Sequence, residues 1–298
     1  MSEIFAATPE QGEKRIDVLL VEKYPAYSRG YFQRLIKEGK IKVNGAQVLP
    51  SHTVKPDDSI TVDFVAERKE IAAENIPLDI IYEDDDLLVV NKPPGLVVHP
   101  ACGHESGTLL NALAGYADGK FAPLMVHRLD KDTSGLIVIA KNERAKKSLS
   151  KQFQSRVVKK VYLAAVKGEV TEKKGYIDAP LGRSANDRTK IVVGPLSKKE
   201  AVTEFSLIKR TKEYSLLEVR PLTGRTHQIR SHLAYIGHPV LGDEMYGGTM
   251  HAAGFVFKRQ MLHAFRITFT HPSKSKRVVF EAPPPADLEA IFKGDRND

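Results

Sequence analysis

The segment 127-HRLDKDTSGLIVIA-140 decides how the rest of the chain is read. Its first half is polar: His127, Arg128, Asp130, Lys131 and Asp132 crowd five charged or chargeable side chains into six positions. Its second half, Leu136–Ala140, is near-continuously apolar, the pattern of a strand buried on both faces. A buried strand is a rigid support, and a polar loop at its end is a normal place for a reactive group. Asp130 lies between Arg128 and Lys131. Cations so close favour the ionised carboxylate, which suits a nucleophile or a base and not an acid. At this point a salt-bridged turn built from Asp130 and Asp132 explains the composition as readily.

Outward from this strand, DIIYE (79–83), LLVVNK (87–92), GLVVHP (95–100), KVYLAAVKG (160–168), AVTEFSLIK (201–209), YSLLEVRPL (214–222), LHAFRITF (262–269) and RVVFEAP (277–283) read as further strands. Helices are expected at 108–116, 142–154, 226–236 and 287–293. Many strands joined by short turns, with few helices and no strict strand–helix alternation, predict an α+β fold. The expected architecture is a mixed, mainly antiparallel sheet with flanking helices over 78–298. Upstream, residues 1–13 read as a mobile tail, 14–65 as a small separate module and 66–77 as a polar linker. In the module, Ile16, Leu19 and Leu20 recur at helical spacing. Ser28 can cap a second helix with Tyr31, Phe32, Leu35 and Ile36 on one face and Gly39 at its end. Asn44-Gly45 after Ile41 and Val43 signals a hairpin, and 59–64 closes the module with a strand.

Charge narrows the partners. Lys and Arg number 45 against 37 Asp and Glu, a net +8. The excess is concentrated. Between Lys141 and Lys160 eight cations, Arg144 and Lys147 among them, face Glu143 alone; between Arg29 and Lys42, Arg29, Arg34, Lys37, Lys40 and Lys42 face Glu38 alone. Two such runs point to phosphate contact. A membrane surface would want a wide apolar face, which 141–154 lacks, since Leu149 and Phe153 are its only large apolar residues. No stretch approaches the roughly 18 apolar residues of a membrane span. The first residues lack the basic start and apolar run of a secretory signal, so a cytoplasmic protein is expected. The lone cysteine, Cys102, leaves no internal disulfide and no cysteine-based zinc cage.

A third segment, 223-TGRTHQIRSHL-233, runs on to Gly237-His238-Pro239. Thr226 can cap a helix that Gly237 ends, with Ile229, Leu233 and Ile236 on its apolar face and Arg230 beside it. From there a guanidinium can meet a carboxylate side-on. His227 and His232 are five apart, off the spacing that puts two metal ligands on one helical face. His127, His238 and His263 lack partners at ligand spacing. All are read as hydrogen-bonding structural histidines, and no metal is expected. No glycine-rich phosphate loop is present, so no nucleotide or other cofactor is expected either.

NKPPGLVVHP (91–100), HRLDKDTSGL (127–136) and TGRTHQIRSHLAYIGHPVLGD (223–243) resemble the successive motifs of the RluA/RluD-type pseudouridine synthases. The resemblance spans roughly 78–282, and the helix–helix–hairpin module resembles the S4-like (alpha-L) RNA-binding domain over about fifty residues. The resemblance implies an isomerase that detaches uracil from ribose C1′, turns it and rejoins it through C5. It implies catalysis by Asp130, by attack on the sugar, attack on the base or removal of a ribose proton. It further implies that Arg128 fills the helix as the uridine leaves and that Tyr162, in Lys160-Val161-Tyr162, stacks on the flipped base and assists proton movement at C5. Arg230 would pair with the catalytic carboxylate, and Arg225 would contact phosphate. The expected substrate is large-subunit (23S) ribosomal RNA, and a monomer is expected. The alternatives are the same chemistry on transfer RNA and a non-catalytic RNA-binding protein of ribosome assembly.

Overall fold

The computed structural model describes residues 2–25, 27–65, 71–100, 105–194 and 199–294, and its contacts separate two units, Met1–Glu70 and Ile71–Asp298. The first unit contains β1 (Ser2–Ala6), α1 (Ile16–Lys23), α2 (Arg29–Lys37), β2 (Ile41–Val43), β3 (Ala46–Gln47) and β4 (Ser59–Asp63). The Ser28 hydroxyl accepts the Tyr31 amide at 3.2 Å, a cap that contributes about 1 kcal/mol. Tyr31, Phe32, Leu35 and Ile36 turn to one face of α2 and are buried with Ile16, Leu19, Leu20, Ile41 and Val62. Asn44 and Gly45 take φ of 49° and 77° and reverse β2 into β3, the two-residue hairpin that the sequence predicts. The sheet runs β1-β4-β2-β3, all antiparallel.

The expected tail is a correction: from Ser2 onward residues 1–13 belong to the fold. β1 pairs with β4 along its whole length, Ser2 with Asp63 through Ala6 with Ser59. Phe5 meets the edge of Tyr24 at 6.2 Å under the Lys23 ammonium, and Ala7 is buried. One aromatic on a five-residue strand is a weak signal in sequence, yet it covers the end of this small core. Of the expected linker 66–77, residues 66–70 lie outside the described residues. The remainder is tied to the second unit: Asn111 Nδ2 donates to Ala72 O at 2.9 Å, and the Glu74 carboxylate accepts the Gly107 amide at 3.0 Å.

The second unit contains β5 (Ile80–Glu83), β6 (Leu87–Lys92), α3 (Leu109–Ala117), β7 (Leu124–Met125), β8 (Ser134–Ala140), α4 (Glu143–Gln154), β9 (Lys159–Lys167), β10 (Lys174–Asp178), β11 (Leu181–Arg183), β12 (Ile191–Val193), β13 (Val202–Arg210), β14 (Tyr214–Pro221), α5 (Gln228–Tyr235), β15 (His251–Ala252), β16 (Phe255–Val256), β17 (Leu262–Thr270), β18 (Arg277–Glu281) and α6 (Ala286–Lys293). Ten strands form one sheet ordered β10-β13-β14-β9-β17-β8-β6-β5, with β18 on β17 and β7 on β8. Every residue of β8 is buried. Ile137 and Ile139 pack with Leu109 and Leu113 of α3, while Leu136, Val138 and Ala140 pack with Ala145 and Leu149 of α4. The sheet is antiparallel except where β17 runs parallel to β8 at His263 and Ala264. There Gly135 has φ of 109°, and a Cβ on it would lie 2.3 Å from the Ala264 carbonyl oxygen. No side chain fits, so the glycine that closes the polar loop also lets the two strands meet.

GLVVHP is not a strand. The Val97 and Val98 carbonyls accept the Leu109 and Leu110 amides at 2.8 and 3.2 Å. These are first-turn amides of α3, which have no partner inside the helix, so the segment caps a helix end instead of joining the sheet. Cys102 lies outside the described residues.

Candidate active site

Asp130 lies in the polar loop before β8. Its cation is not either sequence neighbour. Arg230 Nη1 donates to Asp130 Oδ2 at 3.0 Å across a hundred residues of chain. The rest of that guanidinium grips Asp243, with Nε to Oδ2 at 2.6 Å and Nη2 to Oδ1 at 2.9 Å, and lies 5.0 Å over the Tyr246 ring. Arg230 is thus fixed side-on by a buried carboxylate and offers its free edge to Asp130, whose side chain is 20% exposed. Asp243 and Asp130 hold the guanidinium far above its ordinary range, so it stays charged despite burial. Asp243 closes the 223–243 motif in sequence, but only the fold reveals its role, as partner of Arg230.

Gln228 builds the loop that aims Arg230. Its Nε2 donates to Val202 O at 2.8 Å and to Thr203 Oγ1 at 3.0 Å, while its Oε1 accepts the Thr223 hydroxyl at 2.7 Å and the Arg225 amide at 3.0 Å. Every polar atom of this buried amide is used, which pins 223–228 to β13. The cap of α5 is His227, not Thr226 as expected. His227 takes φ of 53°, and its ring is engaged elsewhere. Its Nδ1 lies 3.0 Å from the Tyr246 hydroxyl and its Nε2 lies 3.9 Å from Asp130 Oδ2. Gly237, with φ of 88°, ends the helix as expected.

A cleft of about 540 Å³ opens over this pair, lined by Arg128, Asp130, Lys160, Tyr162, Arg225, His227 and Arg230 among others. Burial and the Asp130 charge push the Tyr162 phenol up, so it remains protonated. Burial lowers the Lys160 ammonium to about 8. His127 lies against Phe153, ring centroids 4.6 Å apart, and its Nε2 accepts the Val138 amide at 2.8 Å. Burial pushes His127 down to about 3, which keeps that nitrogen an acceptor. His263 bridges Ser134 Oγ and Ala282 O, His232 bridges Thr203 Oγ1 and Ala179 O, and His238 Nδ1 meets Lys167 O. Among the described residues no three His, Cys, Asp or Glu side chains are grouped to hold a metal ion.

Lys92, in the turn motif 91–95, is a further residue whose role the sequence hides. It is fully buried, and its Nζ donates to the carbonyls of Pro93, Leu96 and Lys131 at 2.7, 3.0 and 2.8 Å. Three acceptors match three ammonium protons, and one of them belongs to the residue after Asp130. The cations read as RNA contacts separate into two groups. Lys37, Lys40, Lys42 and Lys147 are exposed. Arg29, half exposed, also serves the fold: Nε and Nη2 each lie 3.0 Å from Oδ2 of the buried Asp17. Arg34 pairs with Glu38 at 3.6 Å, Arg144 with Asp86 Oδ1 at 3.0 Å, and Arg225 Nε donates to Glu200 O at 3.0 Å.

The chain is similar to known proteins in sequence and in fold. The RNA pseudouridylate synthase family matches residues 86–235, and the S4 domain matches 14–60. The chain belongs to the RNA pseudouridylate synthase family. It is 42% identical over 294 residues to an RNA pseudouridine synthase of Bacillus subtilis, covering 96% of each. It is 39% identical over 300 residues to the ribosomal large subunit pseudouridine synthase D of Xanthomonas campestris, covering 96% of this chain and 90% of that one. The solved structure of human RNA pseudouridylate synthase domain containing 1 matches with a TM-score of 0.59 at 28% identity, over 76% of this chain and 97% of that one. This pseudouridine synthase is therefore an isomerase with an N-terminal S4 domain.

Proposed function

We propose that this synthase isomerises specific uridines of large-subunit (23S) ribosomal RNA, with Asp130 as the reacting carboxylate. The observation that carries the role of Asp130 is its 3.0 Å contact with the doubly anchored Arg230 in the cleft that Tyr162 and Arg128 also line. The reaction breaks N1–C1′ and C5–H and makes C5–C1′ and N1–H. No electrons are gained or lost overall, so one positioned carboxylate suits it without a redox partner. Arg230 holds the charge and the angle of that carboxylate. Tyr162, a neutral phenol on a strand, offers a flat face for the extruded base. Arg128, exposed at the cleft, takes the place the base leaves, and extrusion costs only a few kcal/mol. The relatives named as large-subunit synthases support ribosomal RNA as substrate. A monomer acting in the cytoplasm is part of this reading. Among the described residues no helix is long and apolar enough to cross a membrane.

Asp130→Asn should bind RNA as the parent does and form no pseudouridine, since removing such a group costs several orders of magnitude in rate. Turnover within about tenfold of the parent sinks the assignment. Mapping pseudouridine in ribosomal and transfer RNA from a strain lacking the gene tests the substrate: sites lost from 23S RNA alone are expected.

A further inference from the structure

The Tyr246 hydroxyl fixes which nitrogen of His227 carries the proton. Arg183 and Ile191 lie opposite each other at the end of the β11–β12 pair, and the next amide, Ser184 N–H, bonds to Lys190 O. The N–H and C=O of Ile191 therefore point away from β11. Both meet Tyr246: the Ile191 amide donates to the hydroxyl at 3.0 Å, and the hydroxyl donates to the Ile191 carbonyl at 2.9 Å. The one hydroxyl proton is then committed. His227 Nδ1, 3.0 Å from the same oxygen, must be the donor. Nε2 is left as a bare lone pair in the cleft, 3.9 Å from Asp130 Oδ2. His227 is held there at φ of 53°, a backbone region that few side chains other than glycine and asparagine occupy without cost, and such outliers cluster where function needs them.

The reaction needs an acceptor at this place. Once C5 has joined C1′, the C5 proton sits one carbon away from the atom that Asp130 serves. The other titratable groups of the cleft are poorly suited to take it. Arg230 is held protonated, Tyr162 keeps its proton, Arg128 and Arg225 are guanidinium ions, and Lys160, lowered by burial to about 8, is still mainly an ammonium ion at neutral pH. We propose that His227 Nε2 is the general base that removes the C5 proton from the rejoined uracil, a reading that rests on Asp130 as the reacting carboxylate. The C5–H pair forms C5=C6, the N1=C6 pair moves to N1, and N1 takes a proton from water. The imidazolium, flanked by Asp130 and Asp243 and faced by Arg230, Arg128 and Tyr246, returns its proton to water in the cleft. Burial lowers His227 below its ordinary value, so it starts each turnover neutral.

The test uses RNA carrying deuterium at C5 of the target uridine, in single turnover. His227→Asn tolerates the left-handed backbone, keeps an amide N–H for Tyr246 and lacks a basic nitrogen. It should slow product formation by about 10² or more and show a larger primary isotope effect than the parent, with unchanged RNA affinity. His227→Gly should regain at least about tenfold with added imidazole, following the neutral fraction of the imidazole. A His227→Asn rate within about threefold of the parent with an unchanged isotope effect overturns the proposal. So does a slow His227→Asn with no isotope effect together with a His227→Gly that imidazole does not rescue, because that pair describes a structural role. A working Asp130→Asn overturns the proposal together with the reading beneath it. A silent Asp130→Asn beside an unaffected His227→Asn overturns the proposal alone.

Discussion

The Lys92 ammonium donates at 2.8 Å to the carbonyl of Lys131, one residue past Asp130, and so ties the end of β6 to the loop that carries the reacting carboxylate. Replacing it with Met keeps the volume and strands three carbonyls. Each buried unsatisfied group costs about 1–3 kcal/mol. Lys92→Met should therefore lower the urea midpoint markedly and slow single-turnover isomerisation. An unchanged midpoint would show that water replaces the ammonium at no cost.

His127 gives the fold a defined acid lability. Its folded-state value of about 3 lies below the ordinary histidine value near 6.5. Between these values the unfolded chain binds a proton that the folded chain does not. The stabilisation is full above about pH 6.5 and is lost as pH falls toward 3, at up to about 1.4 kcal/mol per pH unit. His127→Gln, whose amide oxygen can still accept the Val138 amide, should flatten this dependence. Urea unfolding at pH 4, 5, 6 and 7 measures both slopes, and parallel curves would refute the assignment.

Asp243 bears on Asp130 through the guanidinium that both carboxylates hold. Asp243→Asn keeps the shape but leaves the buried guanidinium one charge short and free to swing. Breaking a buried pair from one side costs about 3–5 kcal/mol. Thermal stability should drop, and kcat should fall more than RNA affinity. A kcat equal to that of the parent would mean that the second carboxylate is dispensable for aiming Arg230.

The basic residues of the first unit should separate by function. Lys37, Lys40 and Lys42 are exposed, and changing all three to Gln should weaken RNA binding and reduce the salt slope by about three. The turnover rate at saturating RNA should stay. Arg29→Gln should instead cost stability, because Asp17 loses one of its two arginines. A salt titration of binding beside thermal melts scores both. An unchanged salt slope in the triple variant removes these lysines from the RNA interface.

How much was legible in sequence follows the range of the interactions. Ser28, the apolar face of α2 and Asn44-Gly45 act within a few residues, and each element stands where its local pattern puts it. Strand Leu136–Ala140 was legible because burial on both faces leaves no polar position. Ser2–Ala6 was not, since its partner lies nearly sixty residues on and only Phe5 marks its inner face. GLVVHP looked like a strand because its apolar residues do face the core, but its carbonyls serve α3. In the site, Asp130 stood out by its crowded charges, whereas Asp243 and Lys92 acquire their roles only through partners elsewhere in the chain. For His227 the decisive fact is a tautomer set by Tyr246, which no spacing rule encodes.

The parallel seam at Gly135 sets a schedule for the life of the enzyme. β17 lies between β8, which follows Asp130, and β9, which carries Tyr162 and pairs with β14 ahead of Arg230. Until residues 262–270 have been synthesised, the carboxylate and its guanidinium belong to two pieces of sheet with no strand to join them. Pairings this distant along the chain form late. The first unit, by contrast, draws all of its strand pairing from residues 2–63, so its sheet is complete in sequence long before that of the second unit.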